Sequence, residues 1–383
     1  MPDRSPFLLD RDVVFLNHGS FGAVPAPVFA EYQRLQLEME RQPVAWLQRS
    51  ADTLLAEARR GLAAYVGCAA DDLVYVPNPT TAINMVAKSL QLEPGDEILT
   101  TDHEYGAMDR TWKVICAATG ARYVQTHIPF ALTADDFVER VWAQRSPRTK
   151  VLFLSHMTSA TAMRFPVEEL VTRAREAGIL TIIDGAHIPG HVPLDLTALG
   201  ADIYTGANHK WLCAPKGSAF VHARPEVQHL LQPLVVSWGW ESDHPSGSQF
   251  VDHHEWQGTR DLSPFLATPA AIDWVTAQDW PAVQASCHAL LRGALERIDD
   301  LTGLPSVYAD DGFDWFAQLA VVRLPDLDPV VLKQRLYDEF RVETPVHRFR
   351  DQVLLRISIA IYNTADDIDT LVDALTVMLE DHR

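Results

Sequence analysis

The chain has 383 residues, 47% of them hydrophobic and 22% charged, an ordinary globular composition with room for one large domain and a smaller one. Asp and Glu number 51 against 32 Lys and Arg, a formal charge of −19. That balance argues against nucleic acid, whose backbone needs clustered cations. No apolar run approaches the ~18–20 residues of a membrane span. The four cysteines, Cys68, Cys116, Cys213 and Cys287, lack CxxC or metal-ligand spacing. With no signal peptide, they read as reduced thiols of a cytoplasmic protein.

Short β-rich runs alternate with amphipathic stretches through the first two-thirds of the chain. Strands are expected over Leu73–Val76, Glu97–Thr101, Arg122–His127, Val151–Ser155, Ile179–Asp184, Ile203–Thr205 and Ser218–His222. Helical patterns fall between them at Thr80–Gln91, Tyr105–Thr119, Ala134–Gln144 and Val167–Ala177. Such alternation implies parallel βαβ units covered on both faces, with ligands collecting at the carboxyl ends of the strands. The Trp-, His-, Ser- and Gly-rich segment Leu231–Ser263 reads as a long loop or lid. Beyond it, helical Pro264–Leu301, strand Leu319–Leu324, helix Pro329–Phe340, strand Leu354–Ile361 and helix Ala365–Leu379 make a small α+β domain.

Two of the expected strand ends carry chemistry. Asp184 closes the run Ile179-Leu-Thr-Ile-Ile-Asp184, and Lys210 follows in Thr205-Gly-Ala-Asn-His-Lys-Trp-Leu212. A buried carboxylate and a lysine delivered by successive strands suit pyridoxal 5'-phosphate. The amine forms a Schiff base with the cofactor aldehyde, and the carboxylate keeps the pyridine nitrogen protonated, so the ring can act as an electron sink. Each residue alone has a plainer reading, a surface lysine and a turn-forming aspartate.

Other short motifs converge on the same chemistry. Val74-Tyr-Val-Pro-Asn-Pro-Thr-Thr-Ala-Ile-Asn84 is a strand, a tight turn and a helix start, where Thr80 and Thr81 either bind an anion or simply cap the helix. Gln257-Gly-Thr259-Arg260 is a second candidate phosphate contact. Tyr105 either stacks on a cofactor ring or packs, and Ser155-His-Met-Thr-Ser-Ala-Thr161 is a hydroxyl cluster or a polar turn. His187 shares a turn with Asp184, and His209 precedes the lysine. Arg356, inside an apolar strand, must be paired or face a cavity; its fork suits a substrate carboxylate, a structural ion pair being the alternative.

Taken in order, these residues resemble the class V aminotransferase group of fold-type I pyridoxal phosphate enzymes, over nearly the whole chain. The segments Phe15-Leu-Asn-His-Gly-Ser-Phe-Gly22, NPTTAIN, DGAH, HKW and QGTRD look most like the isopenicillin N epimerase branch, which includes carbon–sulfur lyases such as hercynylcysteine sulfoxide lyases. The resemblance implies an α/β fold: a large domain over 22–262 with a mostly parallel seven-stranded sheet, and a small α+β domain from 1–21 and 263–383. It implies Lys210 as the Schiff-base lysine, Asp184 at the pyridine nitrogen and His187 at the ring oxygen. Thr80, Thr81 and His209 surround the phosphate, Tyr105 stacks on the ring and Ser159 lies near its hydroxyl. Thr259 reaches the phosphate of a neighbouring subunit, because such enzymes usually build their sites across a homodimer interface. Arg356, with Asn17 and Arg350, is assigned to substrate.

One departure from the family bears on the reaction. The loop expected over residues 344–352 reads TPVHRFRDQ, without the cysteine with which desulfurases of this class take up sulfur, so a cysteine desulfurase is disfavoured. Among the other reactions the resemblance alone puts epimerisation first, C–S β-lysis of a cysteine S-conjugate second and transamination third, with a non-catalytic binding protein of the same fold as the remaining alternative. An epimerase needs an acid on the opposite face, for which Tyr105 or a histidine of Trp238–His254 is a candidate. His347, Arg348 and Arg350 suggest a substrate with a further acidic group.

Overall fold

In the computed structural model, which describes residues 6–381, apolar strands collect into one sheet because both of their faces find cover. The strands are β1 (Leu73–Val76), β2 (Glu97–Thr101), β3 (Arg122–Thr126), β4 (Thr149–Ser155), β5 (Leu180–Gly185), β6 (Ile203–Ala207) and β7 (Ala219–Ala223). They lie in the order β1-β7-β6-β5-β4-β2-β3. Only β7 runs antiparallel to its neighbours; the other pairs are parallel. Alternate side chains enter opposite layers: Leu73, Tyr75, Leu152 and Leu154 one core, Val74, Val76, Val151 and Phe153 the other. This is the expected mostly parallel seven-stranded sheet.

Helix Ala51–Val66 shows how the first layer is built. It buries Ala51, Leu55, Ala58, Leu62 and Val66 on one stripe, the spacing of a helix with a single apolar face. Gly67 stops it with a left-handed φ of 72° and an N–H returned to the Ala63 carbonyl, a conformation that costs glycine little. On the opposite face lie helices Pro79–Ser89 and Gly106–Thr119.

A second, three-stranded antiparallel sheet, ordered Val346–Phe349, Gln352–Ser358, Leu319–Leu324, packs against helices Trp280–Thr302, Pro329–Phe340 and Ala365–Glu380. Thr364 and Asp367 start the last helix with a reciprocal capping box. The N-terminal strand Val14–Phe15 pairs in parallel with Val342–Glu343, which brings the first residues to the small sheet.

Several elements differ from expectation. Helices Ala26–Arg41 and Ala51–Val66 arise where no element was assigned. The stretch 264–301 breaks into helices Ser263–Leu266, Thr268–Thr276 and Trp280–Thr302, with prolines in their first turns, where the missing N–H is harmless. Phe265, Leu266 and Val275 share a core with Leu55 and Leu62, so this segment packs on the large layer although the sequence places it in the small domain. The long loop carries a helix, Gln249–His254, anchored by buried Phe250 and Val251. Residues 344–352, read as a loop, contain one arm of the Val346–Phe349/Gln352–Ser358 hairpin. Among the described residues no helix is long and apolar enough to cross a membrane.

Candidate active site

The parallel strands end on one cavity of about 290 Å³. Strand β4 brings Ser155, Met157 and Ser159, β5 brings Asp184 and His187, and β6 brings His209 and Lys210. Helix Pro79–Ser89 points its N-terminal Thr80 at the same space, the small sheet contributes Arg356, and the N-terminal segment contributes Ser20 and Phe21. That segment can cross the lysine only because residue 22 is glycine. Its φ is +70°, and a Cβ there would sit 2.2 Å from the His209 carbonyl oxygen.

Electrostatics make the cavity a receptor for anions. Burial lowers the Lys210 amine to about 8, with the Arg356 charge adding to the effect and Asp184 opposing it. The Lys210 Nζ lies 3.1 Å from His187 Nε2. Burial also brings Arg356 down to about 10, which leaves it charged at neutral pH. One Arg356 terminal nitrogen donates to the Ser159 carbonyl at 2.7 Å, and the other to Ser20 Oγ at 2.6 Å. Its Nε is buried without a hydrogen-bond partner. Asp184 accepts the Ala186 N–H at 3.0 Å, and burial raises its carboxyl above the usual range. A buried carboxylate in that state gains from a cationic partner. Two cations against one carboxylate favour ligands carrying phosphate and carboxylate groups, held locally in a protein of net charge −19.

The other expected residues divide. Tyr105 lines the cavity and is 46% exposed. His209 Nδ1 donates to the Ser218 carbonyl at 2.9 Å, leaving Nε2 as its second functional atom. Burial lowers its pKa to about 4, and an anion there would favour a second proton. Ser159 lines the cavity, but its hydroxyl lies 3.3 Å from Arg356. Asn17 also serves Arg356, at 3.5 Å, while donating to Glu343 at 3.0 Å. Thr81 spends its N–H and hydroxyl on the helix cap, both bonding Asn78 Oδ1, at 2.8 and 3.1 Å. Thr259 is exposed on its loop, away from this chain's own cavity.

Arg350 lies apart from the residues that line the cavity. It sits at the hairpin turn with φ 55°, bonded to the Asp102 carboxylate and, at 3.0 Å, to the Ile128 carbonyl. Arg348 pairs with Asp326 at 2.8 Å, and His347 Nε2 donates to the Ala160 carbonyl at 2.9 Å. Local acceptors thus engage the basic cluster, and none of the three lines the cavity.

Glu104 went unrecognised, because an acid between strand and helix looks like a first-turn residue. It is buried beneath the site, accepting from Ser155 N–H at 2.8 Å, Ser155 Oγ at 2.6 Å and Thr101 Oγ1 at 2.7 Å. Ser155 is the register partner of Asp184. Burial pushes Glu104 from 4.5 up to about 8, and the Asp184 charge adds to the rise. A raised carboxyl contributes stability that is complete below the unfolded pKa and lost as pH rises through the folded one. Glu104→Gln should therefore flatten the fall in stability between pH ~5 and ~8, by up to a few kcal/mol. Denaturant melts at the two pH values read the difference; parallel wild-type and variant curves would contradict it.

The model of the aminotransferase class-V family matches residues 22–314. The chain is 36% identical to the isopenicillin N epimerase of Amycolatopsis lactamdurans, covering 97% of this chain and 96% of that protein. It is 34% identical to the isopenicillin N epimerase of Streptomyces clavuligerus, covering 98% and 97%. A probable chloroplastic L-cysteine desulfhydrase of Arabidopsis thaliana is 25% identical over 97% of this chain and 84% of its own. The crystal structure of the Escherichia coli cysteine desulfurase CsdA superposes with a TM-score of 0.83 at 24% identity, covering 98% and 97% of the two chains; that likeness speaks for the fold.

The fold and the lysine-centred cavity define a fold-type I enzyme. The chain belongs to the class-V aminotransferase family, and its cofactor is pyridoxal 5'-phosphate. The residues present fit that group. A partly deprotonated amine, a buried carboxylate able to hold a cationic ring nitrogen, and a helix N-terminus for phosphate all open on one cavity.

Proposed function

We propose that this chain is an amino-acid epimerase of the isopenicillin N epimerase kind. The observation that carries the reading is near-full-length similarity to two such enzymes at 36% and 34% identity, against 25% for the desulfhydrase. The absence of a cysteine from residues 344–352 further separates the chain from thiolate-dependent sulfur transfer.

Pyridoxal phosphate supplies an electron sink for the pair left at the α-carbon when its proton departs. The chain's own residues do the rest. Arg356, preset by Ser159 and Ser20, grips the α-carboxylate and orients the α-hydrogen. Lys210, neutral in half or more of molecules above about pH 8, takes that proton on Nζ. Asp184 stabilises positive charge at the ring nitrogen. Thr80 and His209 hold the phosphate, with Thr259 of a second subunit completing it in a homodimer. Tyr105, at the open side of the cavity, is the candidate donor to the opposite face of the α-carbon.

The test is a proton NMR time course in D₂O of the cofactor-loaded protein with L-amino acids, peptides bearing a free amino-acid terminus and cysteine S-conjugates. Loss of the α-proton with appearance of the inverted form is the expected result. Pyruvate and free thiol from the S-conjugates, without inversion, would replace the epimerase by a C–S β-lyase.

A further inference from the structure

Beneath Lys210 lies a set of buried imidazoles whose partners leave little freedom in where their protons sit. His191 Nδ1 meets the His187 carbonyl at 2.8 Å, and its Nε2 meets the Gln318 backbone N–H at 2.7 Å. A carbonyl only accepts and an amide N–H only donates, so His191 is neutral with its proton on Nδ1. His18 is fixed the other way. Its Nε2 faces the Lys210 carbonyl at 3.1 Å and therefore carries the proton, while Nδ1 takes the Tyr362 hydroxyl at 2.9 Å. Trp211 lies against both rings, stacked on His191 at 4.0 Å between centroids and tilted against His18 at 4.9 Å.

His187 is the ring between this layer and the reactive amine. The Trp211 indole N–H points at His187 Nδ1 across 3.4 Å, and His187 Nε2 faces Lys210 Nζ at 3.1 Å. Indole nitrogen is a donor and nothing else. A proton on Nδ1 would set two donors against each other and strand a buried N–H, whereas a proton on Nε2 satisfies both contacts.

We propose that Trp211 is a positioning residue that locks His187 in its Nε2-protonated tautomer, so that His187 offers Lys210 a hydrogen-bond donor and cannot take a proton from it. A donor at 3.1 Å needs a lone pair on Nζ, so the contact favours the neutral amine. A proton taken from substrate then stays on Lys210 and does not pass to His187, which is excluded as a second acid or base. The stacked His191 and the tilted His18 prevent the indole from turning its N–H away. Burial is the first influence against an imidazolium at His187, and Lys210, Arg356, His191 and His209 around it act in the same direction, with Asp184 on the same turn.

The significance for catalysis rests on Lys210 being the reactive amine; the tautomer itself does not. Selective ¹⁵N labelling of histidine in the cofactor-loaded and cofactor-stripped protein reads it directly, with His187→Gln identifying the signal. The expected spectrum shows Nε2 protonated and Nδ1 bare in both forms. Trp211→Phe keeps an aromatic ring but removes the N–H. His187 should then populate the other tautomer, and acylation of Lys210 in stripped protein should need higher pH, falling several-fold near pH 7.5. An Nδ1-protonated His187 in the wild type, or a Trp211→Phe protein with the tautomer unchanged, overturns the proposal. Should the variant not fold, the wild-type spectrum still decides. Absence of α-proton exchange with the tautomer intact would instead count against the epimerase reading.

Discussion

Lys210→Ala should abolish covalent capture of the cofactor and lower α-proton exchange by at least ~10³-fold, because nucleophile and base vanish together. Borohydride trapping followed by mass spectrometry checks the first loss, and the D₂O time course the second. Lys210→Arg should fail as completely, since a guanidinium keeps the charge but is not deprotonated in proteins. The same residue has a signature in stability. Its folded pKa, about 8, lies below the ordinary 10.5, so between those values the unfolded chain binds more protons and stability rises with pH. Lys210→Met should accordingly be more stable than wild type below pH ~8, by about 1–3 kcal/mol, with the gain fading toward pH ~10.5. A variant no more stable at pH 7 would show that the amine is not held against its charge.

Arg356→Ala should lower kcat/KM by about 10²–10⁴-fold, because charge-assisted hydrogen bonds contribute roughly 1.5–3 kcal/mol each and a guanidinium fork makes two to a carboxylate. Arg356→Lys should recover only part of the loss, a point charge lacking the planar fork. The fold should tolerate either change. The guanidinium is buried with an unpartnered Nε, and removing a poorly compensated charge is often neutral or stabilising. Unchanged KM with a raised melting temperature would make Arg356 a structural residue and take the substrate carboxylate elsewhere.

Much of the framework follows from local chemistry. The runs Leu73–Val76, Glu97–Thr101 and Leu319–Leu324 form strands with those bounds, since β-rich apolar segments flanked by turn residues have few alternatives. The same holds for the helix Pro329–Phe340. Helices Ala26–Arg41 and Ala51–Val66 escaped notice because they lie outside the strand–helix alternation that organised the reading; their apolar stripes acquire meaning only against the sheet.

The chemistry of the site divides in the same way. Strand ends in a parallel sheet converge, so Asp184 and Lys210 could be placed together from one dimension, and the −19 charge already required any phosphate to be held by local groups. Tertiary packing decided which neighbours serve them. Arg350 stands six residues before Arg356, yet a hairpin turns it to Asp102 while Arg356 faces the cavity. Glu104 was one more acidic residue until burial and three donors made it part of the site's support. Trp211, beside the lysine in the chain, became a partner of His187 only when β5 and β6 were laid side by side. Periodicity and turn chemistry act over a few residues, so the sequence alone determined the strands and the reactive residue types. Hydrogen-bond partners, burial and the resulting proton positions depend on residues far apart in the chain, and those the tertiary structure decided.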